Sequence, residues 1–403
     1  MNNDQLYQSE LLCIPRMSPP VQQRKAYQLL RLIRAAQPIT RTEIAKRLSI
    51  DKSTVTENVK PLIVSGVINE ESMAAEGRKR RSRVLSFSDD KIYFIGVNLG
   101  VRRSQVGFTT LRGEITDESD FETPKSASYA LRLAREQVDR LVRKHRDKEL
   151  AVVGVSVPGM SDARRGKLVF APNLGWKNID IASALRVQEN TRVVVENDST
   201  AAAMFEARLK IRNSEDGLMS NFILVRSGTG IGVGLVIGSE VYRGSGTGRG
   251  IAGEFGHMTI VANGKHCVCG NRGCWEKYGS AAAAGTLYLG DRPPSPGETV
   301  PRFVEIVAKA EVGDVRSKKT LERIGDYLGI GIANVIMGIG IPRVIISGRL
   351  VYAWKFIEKP LHAAIRRSII GKIDGWTVEA GEPVGSAIGG ALEVAVEEYL
   401  STL

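Results

Sequence analysis

The amino-acid sequence predicts a mixed α/β protein in two parts, a winged helix-turn-helix at the N-terminus followed by a large α/β domain. Three observations predict it. Short amphipathic segments separated by tight turns fill residues 21 to 65 and give way to two short strands. From residue 88 onward strands alternate with helices, the order that builds a layered α/β core. A strand, turn, strand pattern at Lys91 to Thr116 recurs, weakly but with the right spacing, at Asn221 to Gly244.

Residues 1–20 are polar, carry Pro15, Pro19 and Pro20, and show no sustained period, as in a flexible arm. Between Val21 and Ala36, the residues Ala26, Leu29, Leu30, Ile33 and Ala36 fall at helical spacing, and Pro38 ends that helix. Thr40-Arg41-Thr42-Glu43 is a capping-box sequence, which opens a second helix to about Leu48 with Ile44, Ala45 and Leu48 inward. After a turn at Ser49-Ile50-Asp51 a third helix begins, with Asp51 as its N-cap and Val55, Val59, Leu62 and Ile63 facing the core. This leaves Lys52, Ser53, Thr54, Thr56, Glu57 and Lys60 outward. Hydroxyls and amines so placed suit the phosphates and base edges of double-stranded DNA, with Lys52 to Ser65 as recognition helix. Pro61 is expected to kink or end that helix near Lys60. Gly66 then stops it, and Val67-Ile68 with Val84-Leu85-Ser86-Phe87 read as the strands of a wing. The basic run between them places Arg78, Lys79, Arg80 and Arg81 for phosphate or minor-groove contact, although a run of this kind also serves as a solvated loop. A three-helix unit without the wing contact would equally suit a protein-interaction module.

The charge balance bears on that choice. The 403 residues carry a formal net charge of +12. Val21 to Phe87 hold fourteen Lys and Arg against six Asp and Glu, an excess of +8, so most of the positive charge sits at one end. An acidic polymer is the partner this implies. Hydrophobic residues make up 43%, no stretch reaches the apolar length of a membrane span, and the N-terminus lacks the order of a secretory signal, so the expected location is the cytoplasm.

In the large domain, helices are expected near Ala127 to His145, Ser199 to Lys210, Val304 to Ala310, Lys318 to Met337, Ala353 to Ser368 and Ala387 to Tyr399. Strands include Leu150 to Val155, Arg192 to Val195 and Val344 to Ile346. Three of the four cysteines fall in one stretch: Gly253-Glu254-Phe255-Gly256-His257, then Cys267-Val268-Cys269-Gly270-Asn271-Arg272-Gly273-Cys274-Trp275-Glu276. A histidine and three cysteines offer the nitrogen and thiolate ligands of a closed, structural tetrahedral zinc site. Clustered thiols also fit a redox pair, and His266 beside Cys267 rivals His257 as fourth ligand. Glu254 and Glu276 are not needed for a metal and could grip a polyol.

The pattern E-x-G-H followed by C-x-C-G-x-x-G-C-x-E resembles the ROK family of sugar kinases and sugar-responsive repressors. The resemblance extends through Val155-Ser156-Val157-Pro158-Gly159, Ala171-Pro172-Asn173-Leu174 and Val195-Glu196-Asn197-Asp198-Ser199-Thr200-Ala201, and residues 21–87 resemble the winged helix-turn-helix that heads the family's regulators. It implies a duplicated actin-like, ribonuclease-H-like domain over 88–403, with lobes of about 88–210 and 211–403 flanking a cleft and the C-terminal helix returning to the first lobe. It favours His257 over His266 as the ligand beside Cys267, Cys269 and Cys274. It also implies that Asn197, Asp198, Glu254, His257 and Glu276 bind sugar hydroxyls, Asp198 matching the kinases' general base. Taken alone, Asn197 and Asp198 would equally cap the helix that follows them.

The ROK kinases carry D-x-G-G-T-K in the first phosphate turn, where this chain has Asn98-Leu99-Gly100-Val101-Arg102-Arg103. An amide is a poor magnesium ligand, and Val101 and Arg102 make the turn too bulky to wrap a phosphate. The second turn, Gly228-Thr229-Gly230-Ile231-Gly232, is intact. The expectation is therefore not an enzyme but a sugar- or phosphosugar-responsive DNA-binding regulator, a repressor of carbohydrate genes. A palindromic operator would require a homodimer or homotetramer. The alternatives are a sugar kinase with an accessory DNA-binding module, and a DNA-binding protein whose cleft is vestigial or serves a protein partner.

Overall fold

Apolar periodicity decides where the first helices form. In the structure, a computed structural model that describes residues 21–74, 81–88, 91–163, 165–213, 221–244, 252–383 and 386–403, α1 (Val21–Ala36) buries Leu29, Leu30, Leu32 and Ile33. A two-residue strand, β1 (Ile39–Thr40), leads into α2 (Arg41–Leu48), which Thr40 caps by accepting the Glu43 N–H at 3.2 Å. Ser49 closes α2 in the left-handed region, φ 52°, where its own N–H reaches the carbonyls of Ala45 and Lys46. The recognition helix α3 (Lys52–Val64) buries Val55 and Val59, with Leu62 and Ile63 packed behind them.

One expectation about α3 needs correction and one holds in position only. Pro61 does not end it, for the helix runs on to Val64, and the hydrogen bond that a proline cannot donate falls at Glu57, an exposed residue where water can take its place. Asp51 occupies the N-cap position, but its side chain makes no cap hydrogen bond. The wing strands β2 (Ile68–Ala74) and β3 (Arg81–Phe87) are also longer than their apolar pairs suggested, running antiparallel from Ile68 opposite Phe87 to Ala74 opposite Arg81. β1 joins the free edge of β3. Arg78, Lys79 and Arg80 lie outside the described residues.

The large domain repeats one topology twice. Its first part comprises β4 (Ile92–Asn98), β5 (Arg103–Thr109), β6 (Ile115–Glu122), α4 (Ala127–Lys144) and β7 (Glu149–Val157), then β8 (Met160–Asp162), β9 (Lys167–Ala171), β10 (Trp176–Asp180), α5 (Ile181–Leu185) and β11 (Arg192–Asn197). Next come α6 (Asp198–Asn213), β12 (Phe222–Ser227), β13 (Ile231–Ile237), β14 (Glu240–Val241), α7 (Glu276–Gly279), α8 (Ala284–Tyr288), α9 (Phe303–Glu311), α10 (Val315–Ile339), β15 (Arg343–Gly348), α11 (Trp354–Arg367), β16 (Thr377–Ala380) and α12 (Ser386–Leu400). The first sheet runs β11-β7-β4-β5-β6 and the second β14-β13-β12-β15-β16. In each, an antiparallel hairpin is extended on its first strand by two parallel strands, so the faint repeat in the sequence is a full repeat in pairing. β8, β9 and β10 form a small side sheet that the sequence reading did not anticipate. α12 crosses back onto the first sheet, where Gly96 and Gly154 admit it: a Cβ on either would strike Leu392, or Ala391 and Ala395.

The winged helix is packed into this domain. One continuous apolar core joins Leu29, Ile33 and Phe87 to Phe94, Leu111, Val152, Ala395 and Leu400. Around it lie buried charges. Arg34 Nη1 donates to Glu393 Oε1 at 2.5 Å with both side chains under 4% exposed, and Arg208 Nε of α6 stands 3.2 Å from the other Glu393 oxygen. Arg31 Nε donates to Glu397 at 2.9 Å, Tyr27 donates to the same carboxylate, and Arg47 of α2 donates to the Ile211 carbonyl of α6. Burial pushes the Arg208 guanidinium down to about 10, the Glu393 carboxylate opposing that shift. No helix among the described residues is long and apolar enough to cross a membrane.

Breaking a buried pair from one side leaves an uncompensated charge, which costs about 3–5 kcal/mol. Glu393→Ala strands Arg34 and Arg208 together, so urea unfolding should show a loss of about that size. Glu311→Ala, at the exposed Lys355 pair, should change stability by less than about 1 kcal/mol.

Candidate functional site

Between the two sheets lies a cleft of about 550 Å³, walled by the ends of β4, β11 and β12 and by the loop that carries the cysteines. β11 ends at Asn197 and α6 begins at Asp198, so this junction sets two polar side chains at the cleft floor. Asn197 is already engaged: its Oδ1 accepts the N–H groups of Ser199 and Thr200 at 2.8 and 3.1 Å, and its Nδ2 donates to the Gly159 carbonyl at 2.9 Å. It is thus the cap of α6, with a single amide N–H left over for a ligand. Asp198 is held on both oxygens, Oδ2 by Arg226 Nη1 at 2.6 Å and Oδ1 by the Ser199 hydroxyl at 3.3 Å. Arg226, the last but one residue of β12, was not singled out from the sequence. Its signal is a lone arginine closing an otherwise apolar strand just before a glycine-rich turn.

Glu254 and His257 open and close one 3₁₀ turn, entered through Gly253 at φ 115°. Burial, with Asp198 and then Glu276 nearby, pushes the Glu254 carboxyl up to about 7. Glu276 starts α7, is buried, and faces Gly230 so closely that a Cβ there would collide with its Oε2. The second glycine-rich turn therefore lies against a candidate sugar-binding carboxylate.

Behind these carboxylates His257, Cys267, Cys269 and Cys274 converge, with one ligand atom from each inside a 4.8 Å span. Cys267 Sγ lies 3.6 Å from His257 Nδ1, and Cys269 Sγ lies 3.7 Å from Cys274 Sγ. A tetrahedral zinc with Zn–S of about 2.3 Å and Zn–N of about 2.0 Å places its ligands about 3.5–3.8 Å apart, so the donor set fits a metal in both chemistry and spacing. The other nitrogen, Nε2, is 3.8 Å from Glu254, and Glu276 Oε1 accepts from Cys267 Sγ at 3.1 Å. Burial pushes the Cys267 and Cys274 thiols up, so thiolates here need a cation beside them. His266 is exposed and stands outside this group.

At the other end of the cleft Asn98 is buried and committed, accepting from Ser156 Oγ at 3.0 Å and donating to Gln105 at 3.2 Å. Val101 and Arg102 stand at the hairpin tip beside it. On the winged helix Lys52, Ser53, Thr56 and Lys60 are exposed, whereas Thr54 is half-buried and its carbonyl accepts from Asn58 at 2.7 Å. Arg81 begins β3.

Comparison with known proteins accords with this arrangement. Residues 23–69 match the winged helix-turn-helix DNA-binding family and residues 94–395 match the ROK family. The chain is 28% identical over 349 residues to the xylose repressor of Bacillus subtilis, covering 86% of this chain and 87% of that protein. It is 26% identical over 355 residues to the transcriptional dual regulator NagC of Escherichia coli, covering 86% and 85%. Among solved structures, a ROK family transcriptional regulator described as a homolog of the E. coli MLC protein superposes with a TM-score of 0.75 at 21% identity, over 94% of this chain and 97% of that one. With a winged helix-turn-helix packed against a large domain, and the family model matching three quarters of the chain, the chain belongs to the ROK family.

Proposed function

We propose that the protein is a sugar-responsive DNA-binding transcriptional regulator, a repressor of carbohydrate uptake or catabolism genes, acting in the cytoplasm as a homodimer or homotetramer. One observation carries the reading: the cleft that keeps Asp198, Glu254, His257 and Glu276 is joined to the DNA-binding head by two helices. α6 starts at Asp198 in the cleft and ends where Ile211 receives Arg47 of the head. α12 touches the cleft at Ala387 in its first turn and carries Glu393 and Glu397 to Arg34 and Arg31. Lys52, Ser53, Thr54, Thr56 and Lys60 would meet operator DNA, aided by Arg78, Lys79, Arg80 and Arg81 of the wing. A sugar or phosphosugar whose hydroxyls bridge Asp198 and Glu254 would draw the two lobes together, and it shifts DNA affinity to the extent that it prefers the closed state.

His257, Cys267, Cys269 and Cys274 would hold one structural zinc. His257 holds Nδ1 beside Cys267 and Nε2 toward Glu254, so a zinc held by these four residues would fix the imidazole and the wall that meets the sugar. The kinase alternative is disfavoured by the same residues that shape the far end of the cleft. Asn98 replaces the magnesium carboxylate, Arg102 crowds the turn, and Asp198 Oδ2 is engaged by Arg226 instead of facing a substrate hydroxyl alone.

Fluorescence anisotropy on DNA from upstream of the protein's own gene, at fixed salt, should show specific binding that one sugar releases. Binding that ignores every sugar supports the vestigial cleft, and no specific binding reopens the kinase. Glu254→Ala should keep DNA affinity and lose the sugar response. Lys60→Ala should weaken binding to all sequences and reduce the salt slope by about 1. Metal analysis should return one zinc per chain, and Cys274→Ser should lose it together with a large part of the thermal stability of the second lobe, measured by calorimetry.

A further inference from the structure

Where the family's kinases seat the phosphates of ATP, the described residues of this chain gather arginines. Arg102 stands at the tip of the β4–β5 hairpin, Arg226 at the end of β12, and Arg349 directly after β15, all lining the one cleft beside the glycine-rich turn of residues 228–232. Arg103 lies there too, but is matched by Asp120. Arg226 is matched by Asp198, yet its Nε is shut off from solvent with no hydrogen-bond partner among the described residues. Arg102 and Arg349 are exposed and have no carboxylate within ion-pairing distance among those residues. The cleft lining as a whole has four arginines and four carboxylates, but Arg102 and Arg349 are ion-paired to none of them, so unmatched positive charge stands beside the glycine-rich turn.

We infer that this half of the cleft is the seat of a single anionic group, a phosphate or a carboxylate, carried by the effector sugar. The inference rests on the sugar-binding reading of Asp198, Glu254 and Glu276. Arg226 is the specificity-determining residue. Its planar fork already holds Asp198 from one side, and its guanidinium lines the same cleft as the carboxylates that would grip the ring. Arg349 and Arg102, from the two facing lobes, close on the same group from the mouth. One anion is matched by these charges without a metal. A nucleoside triphosphate would need the magnesium carboxylate that Asn98 has replaced. The same arginine therefore ties up the kinase-base equivalent and selects the ligand that remains.

Isothermal titration calorimetry of the full chain at fixed salt tests this with matched pairs: glucose against glucose 6-phosphate and glucuronate, and N-acetylglucosamine against its 6-phosphate. The anionic member of at least one pair should bind about tenfold or more tightly than its neutral parent, the usual worth of a charge-assisted hydrogen bond. The phosphate and uronate arms tell the two anions apart. Arg226→Gln should bring that ratio close to one and Arg226→Lys should restore part of it. Arg349→Ala, at an exposed position where folding is not at stake, should lower it as well. A neutral sugar that binds as tightly as its anionic partners, or a ratio indifferent to both arginines, overturns the anion seat while leaving the sugar cleft standing. Failure of every member to bind overturns the sugar-binding reading and this inference with it.

Discussion

The carboxylate of Glu393 is the interaction on which the architecture depends. It sits out of water between Arg34 of the first helix and Arg208 of the helix that begins in the cleft, so three elements far apart in sequence meet on one group. Its neighbour Glu397, one helical turn on, repeats the arrangement with Arg31 and Tyr27. Buried charges are a poor source of net stability but a strong source of register: any other seating of the head leaves an arginine desolvated and unpaired. The apolar contact of Leu29 and Ile33 with Ala395 and Leu400 supplies the adhesion, and the ion pairs decide the alignment.

Much of this was legible in the sequence because it is local. The Thr40 cap, the inward faces of α2 and α3, and the cluster of His257, Cys267, Cys269 and Cys274 all rest on spacing within a few residues. The weak repeat at Asn221 to Gly244 proved to be a complete duplication of strand pairing, since pairing topology tolerates sequence change that periodicity does not. What stayed hidden is what depends on partners distant in the chain. Arg31 and Arg34 lie on the flank of an amphipathic helix and look solvated until α12, some 360 residues later, covers them. Arg226 is an ordinary strand-end residue until β12 is set beside the start of α6. Two-residue β1 carries no pattern to read, and Pro61 misled because its cost depends on whether water reaches the carbonyl it orphans.

The cleft is built from two unlike halves. The carboxylate half sets Glu254 and Glu276 against a donor set for metal, and a side chain at residue 230 would have to displace the Glu276 carboxylate. Asn98, bonded to Ser156 and Gln105, has become part of the sheet's internal hydrogen bonding.

The core shared by head and body has a consequence for how such a protein can arise. Phe87 and Ile92 bracket a boundary in the sequence, yet the apolar cluster on either side of it is one. A chain of this fold lacking the head would present Phe94, Leu111 and Ala395 to water and leave Glu393 and Arg208 facing an empty surface. Acquiring or discarding the DNA-binding part is therefore not the addition or removal of an appendage. It requires a rewritten last helix, so the final turns of the chain record whether a member of this fold was built to carry a head.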